Sequence, residues 1–186
     1  MNVAVYCSAK DCIGADYLQL GDELGLWLAR HGHNLVYGGA TGGLMSRVSN
    51  AFASVPTAER GQIIGVVPSR IVTMGRRSAH CDLLFEVHTM SERKQRMRDL
   101  ADCFVCLPGS YGTLDEMFDV IAAGTVGEHH KPLFILNYHH FYDSLQAHAQ
   151  HMRSLAFLPE QESYSPVYAN TMDELVEYIN AVRPSR

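Results

Sequence analysis

Residues 107–117 read LPGSYGTLDEM. They follow an apolar run, 102–107, and precede a run with helical spacing, 114–123. A buried strand is therefore expected to end there, a glycine-rich turn to follow, and a helix to begin. Such a turn aims backbone N–H groups and the positive end of a helix dipole at one point. Gly109 and Gly112 permit close backbone approach, and Ser110, Tyr111 and Thr113 add hydroxyls. The chemistry this predicts is the binding of a phosphate or another small anion. Glu116 brings a carboxylate to the same motif, which suits catalysis better than anion binding. It also completes Thr113-Leu114-Asp115-Glu116, the S/T-x-x-E pattern in which a glutamate merely reaches back to a free N–H. Local sequence leaves both roles open.

A second group of chemical interest lies in residues 90–101, MSERKQRMRDLA. At helical spacing Met90, Arg93, Met97, Leu100 and Ala101 share one face, apolar except for Arg93. An arginine on a buried stripe needs a partner, because an unpaired buried charge is costly. Asp99 and Asp115 are structural candidates, and a snorkelling side chain is the other bland reading. Lys94 sits at the edge of the same face, while Arg96 and Arg98 are expected on a solvated basic face.

The elements that must position these groups follow from hydrophobic pattern. Strands are expected at 2–7, 34–37, 62–67, 83–87, 102–107 and 132–137, with a short one at 164–168. Helices are expected at 15–30, from Leu44, at 90–101, 114–123, 141–153 and after Thr171-Met172-Asp173-Glu174, a second capping pattern. Gly21 and Gly25 weaken the first helix by roughly 1 kcal/mol each relative to alanine, which predicts close packing against a neighbour. Residues 69–80 form a polar, arginine-bearing loop with no period, long for a connection. The alternation predicts an α/β fold, Rossmann-like and doubly wound: a mostly parallel sheet with helices on both faces, forming one domain over 1–186. Parallel sheets gather all strand C-termini on one edge. A first glycine cluster, Gly38-Gly39-Ala40-Thr41-Gly42-Gly43, would then open onto the same crevice as 107–117. It lacks the lysine of a Walker loop and the G-x-G-x-x-G spacing.

Composition excludes several classes. A 186-residue chain with 47% hydrophobic and 19% charged residues has a globular balance. Its net charge of -5 argues against a partner that is a nucleic-acid polymer. No apolar run approaches the ~20 residues of a membrane span, and no signal peptide is legible. Five cysteines do not pair evenly, which suits a reducing cytoplasm. Cys103 and Cys106 form C-x-x-C within an expected strand, where positions three apart face opposite ways, so they read as core thiols. Ten histidines include the adjacent pairs His129-His130 and His139-His140, which do not converge on one ion. His148 and His151 lack a third ligand, so no metal is expected. The residues call for no cofactor either.

Taken together, these motifs resemble the Lonely Guy (LOG) family of cytokinin riboside 5′-monophosphate phosphoribohydrolases, long labelled "lysine decarboxylase-like". Pro108-Gly109-Ser110-Tyr111-Gly112-Thr113-Leu114-Asp115-Glu116 is similar to the family's PGGxGTxxE loop, with Ser110 in place of a glycine. Met90-Ser91-Glu92-Arg93-Lys94 matches its M-x-x-RK helix start. Val36-Tyr37-Gly38-Gly39 followed by Gly43-Leu44-Met45 resembles VYGGGxxGLMG, with Ala40 and Ser46 departing. The resemblance spans residues 2–137 and opens on Val5-Tyr6-Cys7-Ser8. It implies a Rossmann-like fold, an active unit that is at least a homodimer, and hydrolysis of a nucleoside 5′-monophosphate to free base and ribose 5-phosphate. By position it implies that Arg93 and Glu116 are catalytic. It implies that Gly109, Ser110, Tyr111, Gly112 and Thr113 hold the phosphate or ribose end, with Ser8, Gly39, Met90 and Lys94 also at the substrate. The family's W-A-Q segment appears here as Ala123-Gly124-Thr125, and 69–80 lacks the acidic residue expected near Gly75. Two other readings compete: a non-catalytic carrier of a nucleotide or cofactor phosphate, and a pyridoxal-phosphate decarboxylase, which would need a Schiff-base lysine.

Overall fold

In a computed structural model, which describes residues 1–183, seven strands form one sheet in the order β4-β3-β2-β1-β5-β6-β7. The strands are β1 (Asn2–Tyr6), β2 (Asn34–Tyr37), β3 (Ile63–Pro68), β4 (Leu83–Val87), β5 (Cys103–Cys106), β6 (Leu133–Leu136) and β7 (Val167–Ala169). Every pairing in the sheet is parallel, so the expected mostly parallel sheet is wholly so. From β1 the chain steps outward through β2, β3 and β4, then returns to β5 on the other side. The order therefore reverses between β1 and β5, where a crevice forms outside the strand ends.

The helices are α1 (Ala15–Arg30), α2 (Gly43–Ala53), α3 (Ser69–Thr73), α4 (Met90–Leu100), α5 (Tyr111–Thr125), α6 (Asp143–Ser154) and α7 (Met172–Ala181). Two cores result, one on each face of the sheet. Leu20, Leu24 and Leu28 of α1, Val48 and Phe52 of α2, and Leu175 and Ile179 of α7 cover one face. Met97 of α4, Met117 and Val120 of α5, and Tyr142 with Leu145 near α6 cover the other. The strands feed both by strict alternation: Val3 and Val5 point to the first core, Ala4 and Tyr6 to the second. Cys103 and Cys106 divide in the same way, and both are free thiols. The glycine pair in α1 packs as its spacing predicts. A Cβ on Gly25 would lie 2.3 Å from the Val48 carbonyl oxygen, so α1 and α2 approach at backbone distance.

Residues 69–80 differ from the aperiodic loop expected. The first five wind into α3, and the remainder docks on the first glycine turn. Ser78 N–H donates to the Gly39 carbonyl, Thr41 N–H donates to Arg76 O, and an isolated antiparallel bridge joins Ala40 to Arg77. Two helix starts carry reciprocal caps. Thr89 accepts from Glu92 N–H while Glu92 accepts from His88 N–H, and Thr171, Glu174 and Asn170 repeat the arrangement.

Candidate active site

Helix α5 begins at Tyr111, three residues earlier than the apolar spacing suggests, because its first two residues, Tyr111 and Gly112, are exposed and outside the apolar stripe. Ser110 is the N-cap and makes no side-chain cap. Thr113 therefore lies inside the helix and is not its N-cap, and Glu116 makes no hydrogen bond to a first-turn N–H. The capping reading of Glu116 is excluded. Its carboxylate instead takes Arg93 Nη1 on Oε1 at 2.5 Å, with both residues buried, 7% and 6% exposed. Arg93 thus finds its partner in neither Asp99 nor Asp115. Its Nε donates to the Val66 carbonyl at 3.1 Å, which fixes the guanidinium plane across the ends of β2 and β3. Among the described residues Arg93 is the one side chain donating to Glu116, so Oε2 has no protein donor.

Burial pushes the Glu116 carboxyl above its usual range, and the Arg93 charge pulls it part of the way back. Tyr6 and Cys7, at the end of β1, are fully enclosed beside the pair. Burial and the Glu116 charge hold both their protons far above neutral pH.

The anion turn stands at the switch point. A Cβ on Gly109 would lie 2.1 Å from Thr113 Oγ1, so only glycine lets the buried threonine hydroxyl sit under the turn. Gly112 is different: a Cβ there would meet nothing within 4 Å. Packing does not require a glycine at 112, whereas a ligand on the first-turn N–H groups of Tyr111, Gly112 and Thr113 would. A cleft of about 360 Å³ opens beside the turn, bounded by Ser8, Lys10, Tyr17, Gly109, Ser110 and Phe141. Arg93 and Glu116 lie deeper and do not line it. Ser8 is buried and accepts from Lys10 N–H at 3.1 Å. Met90 opens α4 and is 45% exposed, although the shared face placed it with buried residues.

The first glycine cluster serves the protein's own packing. Gly42 and Gly43 have φ of 115° and 50° and press on Ala9 and Lys10. Gly43 N–H is already taken by Asp11 Oδ1 at 2.7 Å, so the start of α2 carries a carboxylate of the protein itself. Gly39 backs onto Gly65 and Val66. Gly38, not singled out by spacing, is the one that meets the pair: a Cβ there would lie 2.0 Å from Arg93 Nη2. Two successive glycines after a strand were the available signal. Gly38→Ala is expected to push the guanidinium off Glu116 and cut turnover about a hundredfold, read as initial rates beside a melting curve.

Lys94 is tied down rather than free. Its ammonium pairs with Asp115 at 2.7 Å and Asp119 at 3.5 Å, and the Asp115 hydrogen bond raises its pKa. Arg98 joins the same strap through Asp119 and Glu128, and Arg96 covers the Phe85 ring at 4.3 Å, so neither is a merely solvated charge. These pairs bind α4 to α5 and so hold Arg93 and Glu116 face to face. No group of three or more His, Cys, Asp or Glu that could hold a metal occurs among the described residues.

With this geometry in hand, comparison with known proteins is informative. A family model described as "Possible lysine decarboxylase" matches residues 45–179. A cytokinin riboside 5′-monophosphate phosphoribohydrolase of Rhodococcoides fascians is 35% identical over 158 residues, covering 84% of this chain and 78% of its own. One of Mycobacterium tuberculosis is 39% identical over 145 residues, 78% of this chain and 75% of that protein. The chain belongs to the LOG family. The rice protein named LOG is 36% identical over 174 residues, 94% of this chain and 70% of that one. Solved structures share the fold. A molybdenum cofactor binding protein from Rippkaea orientalis matches with a TM-score of 0.70 over 97% of this chain and 96% of that one, at 19% identity. The Moco carrier protein of Chlamydomonas rheinhardtii matches at 0.68 over the same shares, also at 19%. Likeness at that identity concerns architecture alone.

One departure from the LOG pattern has a local counterpart. At Ala123-Gly124-Thr125 the ring of Tyr164 lies over Gly124, where a Cβ would come within 2.5 Å of it. Ser163 Oγ adds a hydrogen bond to the Thr125 carbonyl. No spacing in the sequence announced this pairing, because Tyr164 comes from a distant loop.

Proposed function

We propose that the protein hydrolyses the N-glycosidic bond of a purine nucleoside 5′-monophosphate, adding water to give free base and ribose 5-phosphate. The observation that carries this is the buried Arg93–Glu116 pair, whose carboxylate lies on the helix that the uncapped turn opens. A rise of 1.5 Å per residue puts Glu116 about 5 to 8 Å along the axis from the N–H groups of residues 111–113. That span is comparable with the reach from a 5′-phosphate to the anomeric carbon. The names of the relatives support the same chemistry. Gly109, Ser110, Tyr111, Gly112 and Thr113 receive the phosphate, and Glu116 faces the sugar. As the base leaves, the ribose becomes oxocarbenium-like, and the carboxylate stabilises that charge or takes a proton from the attacking water. Arg93 fixes one carboxylate oxygen and leaves the other for the reacting centre. Ser8, Gly39 and Met90 frame the crevice. Lys94 acts through the α4–α5 strap.

The experiment is incubation with AMP and with N6-isopentenyl AMP, following free base by chromatography. Release from either establishes the hydrolase and ranks the two bases. Bound nucleotide with no release transfers the reading to a carrier. A pyridoxal enzyme is disfavoured by Lys94, whose two carboxylate partners keep it protonated and un-nucleophilic.

The ionised carboxylate is the working form in this scheme, and burial raises the pKa at which it forms. Turnover is therefore expected to fall as pH drops through a value above the ordinary glutamate range of about 4.3. A kcat/KM profile checks this; an acid limb at or below that range would contradict it.

We also propose a homodimer of one-domain subunits working in the cytoplasm. Exposed Met90, Phe118 and Val126 on and just after α4 and α5 offer apolar surface for a second copy, and five free cysteines suit a reducing compartment. Sedimentation equilibrium tests the assembly. No helix among the described residues is long and apolar enough to cross a membrane.

A further inference from the structure

Behind the anion turn lies a buried polar support that neither the sequence motifs nor the family comparison assigns. Tyr142 is 3% exposed, and its hydroxyl donates to the Leu107 carbonyl at 3.0 Å, immediately before the Pro108-Gly109 turn. Cys106 Sγ lies 3.6 Å from the Tyr142 hydroxyl oxygen. Tyr142 is itself held. Its N–H donates to Asn137 Oδ1 at 2.7 Å, and Asn137, 3% exposed, donates through Nδ2 to Asp143 at 2.8 Å.

The corner that delivers Tyr142 is strained. His139 and His140 have φ of 49° and 61°, a left-handed conformation that non-glycine residues rarely adopt in succession. Such strain persists where surrounding contacts over-determine it, and it concentrates at functional sites. Here His139 lies against Asp16 and Tyr138 and His140 against Asp143, and Tyr142 follows two residues on. Beyond Leu107 and Pro108, which are buried, the turn opens to solvent: Ser110, Tyr111 and Gly112 are exposed, and clefts of about 360 and 460 Å³ flank it.

We infer that Tyr142 is a positioning residue, whose hydroxyl holds residues 107–109 in the conformation that receives the ligand's phosphate. The inference rests on the proposed phosphate role of that turn. Tyr142 touches no reacting atom; it acts through the Leu107 carbonyl, which leads into the turn. Its loss loosens the grip on phosphate without altering the Arg93–Glu116 pair.

The test is Tyr142→Phe, which removes one oxygen and keeps the ring. Tyr164→Phe is the control. Its hydroxyl also donates to a carbonyl, Lys131 O at 2.8 Å, from a buried ring, but away from the turn. Binding of ribose 5-phosphate and of inorganic phosphate is measured by calorimetry, and KM and kcat for AMP by base release. The expected result is about tenfold weaker anion binding and about tenfold higher KM in Tyr142→Phe, with kcat within about twofold. Tyr164→Phe is expected to lose comparable thermal stability and leave anion binding unchanged. Equal binding by wild type and Tyr142→Phe overturns the inference, as does equal weakening in both variants, which marks a general structural effect. No anion binding by the wild type overturns it together with the phosphate role of the turn. Anion binding that depends on Tyr142, without AMP cleavage, supports the inference and removes only the hydrolase reading.

Discussion

Glu116→Gln is expected to lower turnover by about a thousandfold while the protein still folds and still binds nucleotide. The amide is isosteric and can still accept from Arg93, so the contact at 2.5 Å is kept as a hydrogen bond while the negative charge is lost. What disappears is the charge that, in the proposed scheme, meets a developing sugar cation or takes a proton from water. Base release from AMP by chromatography gives the rate, calorimetry gives binding, and far-ultraviolet circular dichroism gives the fold. A variant that merely lost about 1 kcal/mol of stability, with turnover intact, would make Glu116 structural after all. The start of α5 argues against that outcome, since Thr113 and Glu116 lie inside the helix and neither caps it.

Arg93→Ala is expected to be damaging in two ways. It removes the group that fixes Glu116, so turnover should fall at least as far as in Glu116→Gln. It also leaves a carboxylate that is 6% exposed without its counter-charge, at a cost of about 3–5 kcal/mol near neutral pH. The sign of the pH dependence follows. Burial already raises the Glu116 pKa, and deleting Arg93 removes the largest influence holding it down. A carboxyl whose folded pKa lies above its unfolded one is favoured in the fold below about pH 4.3, and that advantage is lost as pH rises through the folded value. The deficit against wild type should therefore be small in acid and grow toward neutrality. Urea unfolding at several pH values reads it directly. A deficit independent of pH would mean that lost packing, and not the stranded charge, is responsible.

Much of this was legible from the order of residues. Alternating runs such as Val3-Ala4-Val5-Tyr6 must send side chains to opposite faces, and β-α alternation then forces a two-sided parallel sheet. The turn at Gly109 and the buried face bearing Arg93 were visible because period and glycine placement are local properties. Residues 69–80 were not legible, because their order comes from hydrogen bonds to Gly39 and Thr41 rather than from any period of their own.

Only the tertiary structure decided that Glu116 is no helix cap. Its local pattern fitted a cap as well as a catalyst, and the cap gave way to a helix that starts at Tyr111 and a partner 23 positions away. The same holds for Lys94, whose charge is spent on Asp115 and Asp119, and for Gly38, whose missing side chain makes room for Arg93. It holds again for Tyr142, which reaches the anion turn from 35 positions away. Sequence fixes what a residue offers to its neighbours along the chain. Which distant groups share its volume, charge and hydrogen bonds is set when the two faces of the sheet close, because burial makes each of those pairings costly to leave unmade.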